Sequence, residues 1–226
     1  MIKARQALAA LEEGNRRFVE GTVHHVLDAG VHRREALVEG QAPCAVVLGC
    51  SDSRVPPEVV FDQRLGELFV VRVAGNIANP SQVGSAVFGV EVLGARLVVV
   101  MGHTGCGAVG AALRQVLGGT TGSGAAAGEG LAAVVDPIRP AVEEAVAAAG
   151  VARIRGANAG PAPEGWEALS EAAVAANVRA QLARVRAAFP LGVVGSPESL
   201  AWKSDGVLVL GAVYHVESGH VRFLAG

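Results

Sequence analysis

Strand-sized apolar runs alternate with segments of helical periodicity along this chain, and this alternation restricts the possible folds more than any other feature. Residues 44–49 and 96–102 are mostly apolar, and 67–73 is rich in Val with a single Phe. Runs of this length predict buried strands. Strands separated by helical segments usually pair in parallel through right-handed crossovers. The pattern therefore predicts an α/β fold whose sheet has a parallel core and is flanked by helices.

The segments around these strands predict the remaining elements. Residues 3–20 are amphipathic, with Leu8, Leu11 and Phe18 on one face, and predict an N-terminal helical arm, although Gly14-Asn15 interrupts the pattern. Further helices are predicted over 31–39, 57–62, 81–94, 107–117 and 166–188, and after Pro140 within 131–149. Further strands are predicted over 207–216 and 221–224. The inward face of the last long helix is predicted to carry Leu169, Val174, Val178, Leu182 and Val185.

No internal repeat and no second domain are evident in the sequence. Residues 1–226 are therefore predicted to form a single domain, which is an ordinary size for one α/β unit. Two Gly-rich stretches, 118–130 with six glycines and 156–165, lack bulky side chains and predict flexible loops within that domain.

Charge and hydropathy exclude two classes of partner. The formal net charge is −2 and no basic stripe is present, so a nucleic-acid partner is not expected. Purely apolar stretches such as 45–48 and 97–101 fall far short of the roughly 18 residues that span a bilayer, so no membrane partner is expected either. Because no signal peptide is recognisable at the N-terminus, a cytoplasmic location is predicted.

Four candidate metal ligands lie in two short segments that each follow a predicted strand. Cys50-x-Asp52 follows the first strand, and His103-x-x-Cys106 follows the third. Two thiolates and an imidazole are ligands that zinc prefers, and a carboxylate could complete the tetrahedron. In open α/β sheets ligands bind beyond the carboxyl ends of the strands, so both segments are expected at one edge of the sheet.

The cysteines and glycines of these segments also allow other interpretations. Cys44 lies within the first strand pattern and is interpreted as a buried apolar residue. A Cys50–Cys106 disulfide is disfavoured in a cytoplasmic chain, and a Cys-His nucleophile would leave the second cysteine and the aspartate without a role. The spacing Gly105-x-Gly107-x-x-Gly110 matches a dinucleotide-binding pattern, but that pattern alone is weak.

Asp52 and Arg54 form a second constellation beside the predicted ligands. On an extended loop the two side chains of Asp-x-Arg can point the same way, and a guanidinium can hold a carboxylate through two hydrogen bonds. Such a pair lowers the pKa of the aspartate and keeps it as a hydrogen-bond acceptor near a metal. The alternative is an ordinary surface ion pair.

These motifs resemble those of the β-class carbonic anhydrases. The segments 49–56 (GCSDSRVP) and 102–108 (GHTGCGA) resemble the two zinc motifs of that family. Similarity continues through 61–63 (FDQ), 66–72 (GELFVVR) and 74–76 (AGN), and it covers the chain from about 7 to 117 and from about 170 to 224. The pair of zinc motifs at this separation is highly specific. A β-carbonic-anhydrase-like fold is the expected consequence.

The resemblance implies a zinc-dependent reversible hydration of carbon dioxide to bicarbonate and a proton. One Zn²⁺ per chain would be bound by Cys50, His103 and Cys106, and a zinc-bound hydroxide would attack carbon dioxide. Zinc can make hydroxide available near neutrality because it lowers the pKa of bound water to about 7. Asp52, held by Arg54, would orient the hydroxide, or Asp52 would become the fourth ligand and close the site.

The resemblance also implies a substrate pocket and an oligomer. Gln63, Phe88 and Gly107 are candidate pocket residues, and Phe88 stands where the family commonly has a tyrosine. A homodimer or homotetramer is expected, with a pocket shared between two subunits. Two alternatives stay open: a hydrolase on the same scaffold that acts on a substrate such as carbon disulfide, and a non-catalytic module that binds zinc or bicarbonate.

Overall fold

The fold is built on a six-stranded sheet with a parallel core. The structure, a computed structural model, describes residues 2–26, 28, 30–118, 128–151, 165–189, 193–194 and 206–224. The strands are β1 (Ala45–Gly49), β2 (Leu68–Arg72), β3 (Leu97–His103), β4 (Val193–Val194), β5 (Val207–Tyr214) and β6 (Val221–Phe223). Their order is β2-β1-β3-β5-β4, all parallel, and β6 pairs antiparallel with β5. The predicted parallel core flanked by helices is confirmed.

Eight α-helices surround the sheet in the described part of the chain, and a short 3₁₀ helix, Ala74–Asn76, follows β2. They are α1 (Ala4–Val19), α2 (Val31–Glu35), α3 (Pro57–Val60), α4 (Pro80–Glu91), α5 (Gly107–Gly118), α6 (Gly128–Val135), α7 (Arg139–Ala148) and α8 (Trp166–Ala187). The predicted N-terminal helix is confirmed as α1. The predicted inward residues of α8 are all buried, which confirms that face of the helix. No described helix is long and apolar enough to cross a membrane.

Several elements differ from the sequence prediction: the helix predicted over 31–39 ends at Glu35, and the strand predicted over 207–216 ends at Tyr214. The segment before Pro140 also forms a helix, α6, and Pro137 separates it from α7 because proline lacks the N–H that a continuous helix needs. The predicted loop 118–130 is shorter than expected, since Gly118 ends α5 and 128–130 begin α6. Residues 119–127 and 156–164 of the two predicted loops lie outside the described part. The two-residue strand β4 was not predicted.

The central strands are buried along their whole length. Every residue of β1, β3 and β5 is buried, because helices cover both faces of the sheet. On one face Val98 packs in a cluster with Val90 of α4, and on the other Val99 packs in a cluster with Leu11 of α1 and Leu113 of α5. Burial on both sides explains why these strands are continuous runs of Val and Leu rather than alternating patterns.

The Gly14-Asn15 pair that interrupts the periodicity of α1 has a packing role. A Cβ at Gly14 would lie 1.7 Å from the carbonyl oxygen of Phe61, so only glycine allows this approach. The buried Asn15 side chain donates to the carbonyls of Val60 (3.1 Å) and Gly219 (2.8 Å) and accepts from the amide of Val221 (2.8 Å). Asn15 therefore joins α1 to α3 and to the β5–β6 hairpin.

Candidate metal centre

Cys50, His103 and Cys106 converge at the carboxyl edge of the sheet. Cys50 directly follows β1, His103 is the last residue of β3, and Cys106 directly precedes α5. Since β1 and β3 are hydrogen-bonded neighbours, the two predicted ligand segments lie side by side. All three side chains are buried, and their ligand atoms lie within 4.8 Å of one another. Sulfur ligands of a tetrahedral zinc with Zn–S bonds of about 2.3 Å lie about 3.8 Å apart, which is within this range.

The hydrogen bonding of His103 leaves one ring nitrogen available for a metal. Nδ1 lies 2.9 Å from the carbonyl oxygen of Thr104. A carbonyl only accepts, so Nδ1 carries the hydrogen and Nε2 carries the lone pair. Nε2 is buried and has no hydrogen-bond partner among the described residues. Metal-binding histidines commonly donate their other ring N–H to such a carbonyl, so this arrangement fits a zinc ligand.

The two thiols also fit a divalent cation. The hydrogen bond between them lowers the pKa of Cys50 and raises the pKa of Cys106, and burial opposes ionisation of both. The backbone N–H of Gly75 donates to Sγ of Cys50 over 3.3 Å. A bound Zn²⁺ would favour the thiolate form of both sulfurs.

The loop between the histidine and the second cysteine is fixed by its backbone. The hydroxyl of Thr104 accepts from the amide of Val216 (3.0 Å), and the amide of Thr104 donates to the carbonyl of Tyr214 (3.0 Å). Gly105 follows in the left-handed region with φ +66°, which favours glycine. These contacts hold the Thr104 carbonyl against His103.

Asp52 and Arg54 form the bidentate pair that the sequence predicted. Nε and Nη2 of Arg54 donate to the two carboxylate oxygens over 2.9 and 2.8 Å, and the guanidinium also donates to the carbonyl of Gly105 over 3.3 Å. These hydrogen bonds hold the pKa of Asp52 well below its usual range. Oδ2 of Asp52 lies 3.9 Å from Nε2 of His103, too far for a hydrogen bond but beside the position that a ligand of Nε2 would occupy.

Arg72, the last residue of β2, secures the first ligand loop. Its guanidinium donates to the carbonyl of Cys50 over 2.9 Å and to the carbonyl of Asp52 over 2.5 Å. Both acceptors are backbone carbonyls, so Arg72 does not compete with Arg54 for the carboxylate of Asp52.

The predicted pocket residues occupy different positions. Gly107 is the first residue of α5 and directly follows Cys106. Gln63 is buried, and its amide donates to the carbonyls of Phe61 (2.8 Å) and Asp62 (3.2 Å). Phe88 lies on α4 with 46% of its surface exposed. The role of these three residues at a substrate pocket stays a prediction.

A second group of possible ligands does not fit a metal. His24, His25 and Asp62 also bring ligand atoms within 4.8 Å of one another. However, Nε of Arg17 donates to Asp62 over 2.6 Å, and another nitrogen of the same guanidinium lies 3.2 Å from Nδ1 of His25. The amide of Val26 donates to the other carboxylate oxygen over 2.9 Å. The arginine thus supplies the positive charge that a cation would otherwise bring.

Sequence reasoning missed two residues next to the metal centre, Gly75 and Asn177. Gly75 donates to the Cys50 sulfur, and the side chain of Asn177 donates to the carbonyl of Gly75 over 3.0 Å. The available signal is an Asn and a Gln four residues apart, Asn177 and Gln181, on the otherwise apolar inward face of the predicted helix.

Comparisons with known proteins agree with this geometry. The profile of a family described as carbonic anhydrase matches residues 45–221. Carbonic anhydrase 2 of Mycobacterium tuberculosis is 49% identical over 114 residues, which are 50% of this chain and 55% of that protein. The carbonic anhydrase of Mycolicibacterium smegmatis is 48% identical over 118 residues, 52% of this chain and 57% of that protein. The chain thus spans about half the length of the curated relatives it matches.

Solved structures extend the similarity to nearly the whole chain. The β-carbonic anhydrase CcaA is 27% identical with a TM-score of 0.61, and the match covers 98% of this chain and 92% of that one. The β-carbonic anhydrase CafA of Aspergillus fumigatus is 26% identical with a TM-score of 0.57, covering 97% and 89%. A Coccomyxa β-carbonic anhydrase, 23% identical with a TM-score of 0.62 and covering 97% and 88%, shares the fold.

Proposed function

This chain belongs to the β-carbonic anhydrase family, and we propose that it catalyses the reversible hydration of carbon dioxide to bicarbonate and a proton. One observation carries the proposal: two buried thiols and an imidazole, whose buried Nε2 has no hydrogen-bond partner in the described part of the chain, converge beside an Asp-Arg pair. A closed structural site would use four protein ligands, whereas three ligands with a neighbouring carboxylate are typical of a catalytic zinc site.

In this proposal Cys50, His103 and Cys106 hold one Zn²⁺ per chain. When bound there, zinc would acidify a water molecule so that it reacts near neutral pH. The residues of the chain set the geometry. The carbonyl of Thr104 fixes the tautomer of His103, and the amide of Gly75 shares the charge of the Cys50 sulfur.

Asp52 orients the nucleophile in this proposal. Its lowered pKa keeps the carboxylate ionised at neutral pH, so it can only accept a hydrogen bond. A reactive water that donates a hydrogen bond to Oδ2 of Asp52 presents an oxygen lone pair to carbon dioxide. Arg54 holds the carboxylate of Asp52 through two hydrogen bonds and so keeps it from moving toward the metal ligands. Gln63, Phe88 and Gly107 remain the candidates for the pocket that holds the substrate.

The proposed activity is tested by following carbon dioxide hydration with a pH indicator in a stopped-flow instrument. Zinc-loaded protein should hydrate carbon dioxide, lose this activity when a chelator removes zinc, and regain it when zinc is returned. If fully zinc-loaded protein shows no hydration above buffer, the proposed activity is wrong. Carbon disulfide should be tested on the same preparation, since the metal ligands alone do not distinguish the two substrates.

We also expect a homodimer or a homotetramer. The strand β2 forms an edge of the described sheet, and Phe88 of α4 and Val92, which directly follows that helix, expose 46% and 64% of their surfaces. A second copy that covers this region would protect the edge and bury the apolar side chains. Sedimentation at micromolar concentration should therefore give at least twice the chain mass of 22.9 kDa. A single species of 22.9 kDa would show the prediction to be wrong.

A cytoplasmic location stays a prediction from the sequence.

A further inference from the structure

We propose that Asn177 and Gln181 of α8 are positioning residues of the metal centre, which act by holding the Gly75 amide against the Cys50 thiolate. The inference rests on the proposed function in one respect, namely that Cys50 binds the metal. It concerns residues more than a hundred positions away from Cys50 in the sequence, on a helix that carries no ligand.

Two primary amides are completely buried on this helix. Asn177 and Gln181 have no exposed surface, although the neighbouring inward residues Val174 and Val178 are apolar. Burying an amide in apolar surroundings is unfavourable unless its polar atoms are hydrogen-bonded. Residues in these positions therefore require specific partners, and the partners show what the pair holds in place.

The partners lie at both ends of the turn that follows β2. Nδ2 of Asn177 donates to the carbonyl of Gly75 over 3.0 Å. Oε1 of Gln181 accepts from the amide of Ala78 over 2.9 Å, and Nε2 of Gln181 donates to Oδ1 of Asn177 over 2.9 Å. The two side chains thus support each other and fix the 75–78 segment.

The 75–78 segment needs this support because the residue whose carbonyl accepts from Asn177 is a glycine. Gly75 has φ +69°, and a Cβ there would lie 2.5 Å from Cδ1 of Ile138 and 3.0 Å from Cβ of Ala108. Glycine has the widest backbone freedom, so nothing intrinsic keeps its N–H directed at Cys50. The bond from Asn177 to the Gly75 carbonyl restricts rotation about the same Cα and so preserves the 3.3 Å N–H···Sγ contact.

The consequence is electronic as well as structural. An N–H that donates to a metal thiolate withdraws negative charge from the sulfur, and groups behind the ligands tune metal affinity and the acidity of bound water. Loss of Asn177 should release the Gly75 amide, leave more charge on Cys50 and loosen the ligand loop. Asn177 thereby acts on the metal through Gly75 and Cys50 without touching it.

The test uses Asn177→Leu in the full chain, with Val178→Ala as the matched control. Val178 is the next residue of α8, and it packs against Gly102 and Gly211 without donating to the turn. Two readouts need no turnover: the sulfur-to-cobalt charge-transfer band of the Co²⁺-substituted protein, and the rate at which zinc passes to a chelator. We expect Asn177→Leu to shift the band and to release zinc at least about tenfold faster. Val178→Ala should lower the melting temperature and leave both readouts at the wild-type values.

Asn177→Ser provides a second variant if the leucine variant does not fold, because serine is too short to reach the Gly75 carbonyl. An unchanged band and release rate in the folded variant would overturn the inference. Equal changes in Val178→Ala would also overturn it, since they would reflect general loosening. A wild-type chain that binds metal without hydrating carbon dioxide would refute the proposed function alone, and a shifted band in Asn177→Leu would still support the positioning role.

Discussion

A Cys106→Ser chain is expected to be purified without stoichiometric zinc. Serine keeps the size of the side chain but stays protonated near neutral pH, so the site loses one of its two thiolates. Changing even a residue behind the ligands typically costs about 10–100-fold in metal affinity, and losing a ligand should cost more than the upper value. The measurement is zinc per chain by elemental analysis after dialysis against a weak chelator. Wild-type protein should retain one zinc.

Cys44→Ser is the matched control for this experiment. Cys44 is a free cysteine outside the cluster of candidate ligands, and burial raises the pKa of its thiol to about 11. Its replacement should leave zinc content unchanged. One zinc per chain in Cys106→Ser would show that the ligand assignment is wrong, and loss of zinc from Cys44→Ser would point to a different set of thiolates.

The second large effect is expected from Arg54→Ala, which should reduce hydration at least tenfold while the zinc content stays complete. Arg54 is the bidentate partner of Asp52. Without it the carboxylate, whose Oδ2 lies 3.9 Å from Nε2 of His103, is free to move into the fourth coordination position and exclude water. The pKa of Asp52 should also rise toward its usual value, because the guanidinium is the main cause of its depression.

Two further variants interpret this result. Arg16→Ala removes an exposed arginine that pairs with Glu13 and Glu20 on α1, and it should leave hydration unchanged. Arg54→Lys keeps the charge but not the two-pronged geometry, so an intermediate rate is expected. Near-normal activity of Arg54→Ala would show that Asp52 and Arg54 form only an ordinary ion pair without a role in hydration. Loss of zinc as well would mean that Arg54 supports the ligands or the fold.

The metal centre could be predicted from the sequence because its ligands are local to strand ends. Cys50 and His103 end two apolar runs, and parallel strands place their carboxyl ends together, so the short spacings to Asp52 and Cys106 bring all four side chains to one edge. The Asp52–Arg54 pair is predictable for the same reason, since a single residue separates its members. A site of this kind can be predicted once the strands are expected to pair in parallel, which the strand–helix alternation indicates.

The remaining features depend on contacts between distant segments. Nothing near Asn15 in the sequence indicates that it binds a hairpin 204 residues away, so the interrupted periodicity alone predicts a weaker helix and not a packing site. The Gly75 and Asn177 contact likewise exists only once α8 lies on the sheet. The strand β4 consists of two residues, and a pattern that short cannot be recognised before its partner β5 is in place.

X-ray absorption at the zinc edge of the purified wild-type chain tests the central claim most directly, because it reports the atoms around the metal without reference to turnover. The structure predicts two sulfur scatterers at about 2.3 Å, from Cys50 and Cys106, together with nitrogen or oxygen scatterers at about 2.0–2.1 Å from His103 and one further ligand. A shell of nitrogen and oxygen alone, or one with three or more sulfurs, would contradict the assignment of Cys50, His103 and Cys106 as the zinc ligands.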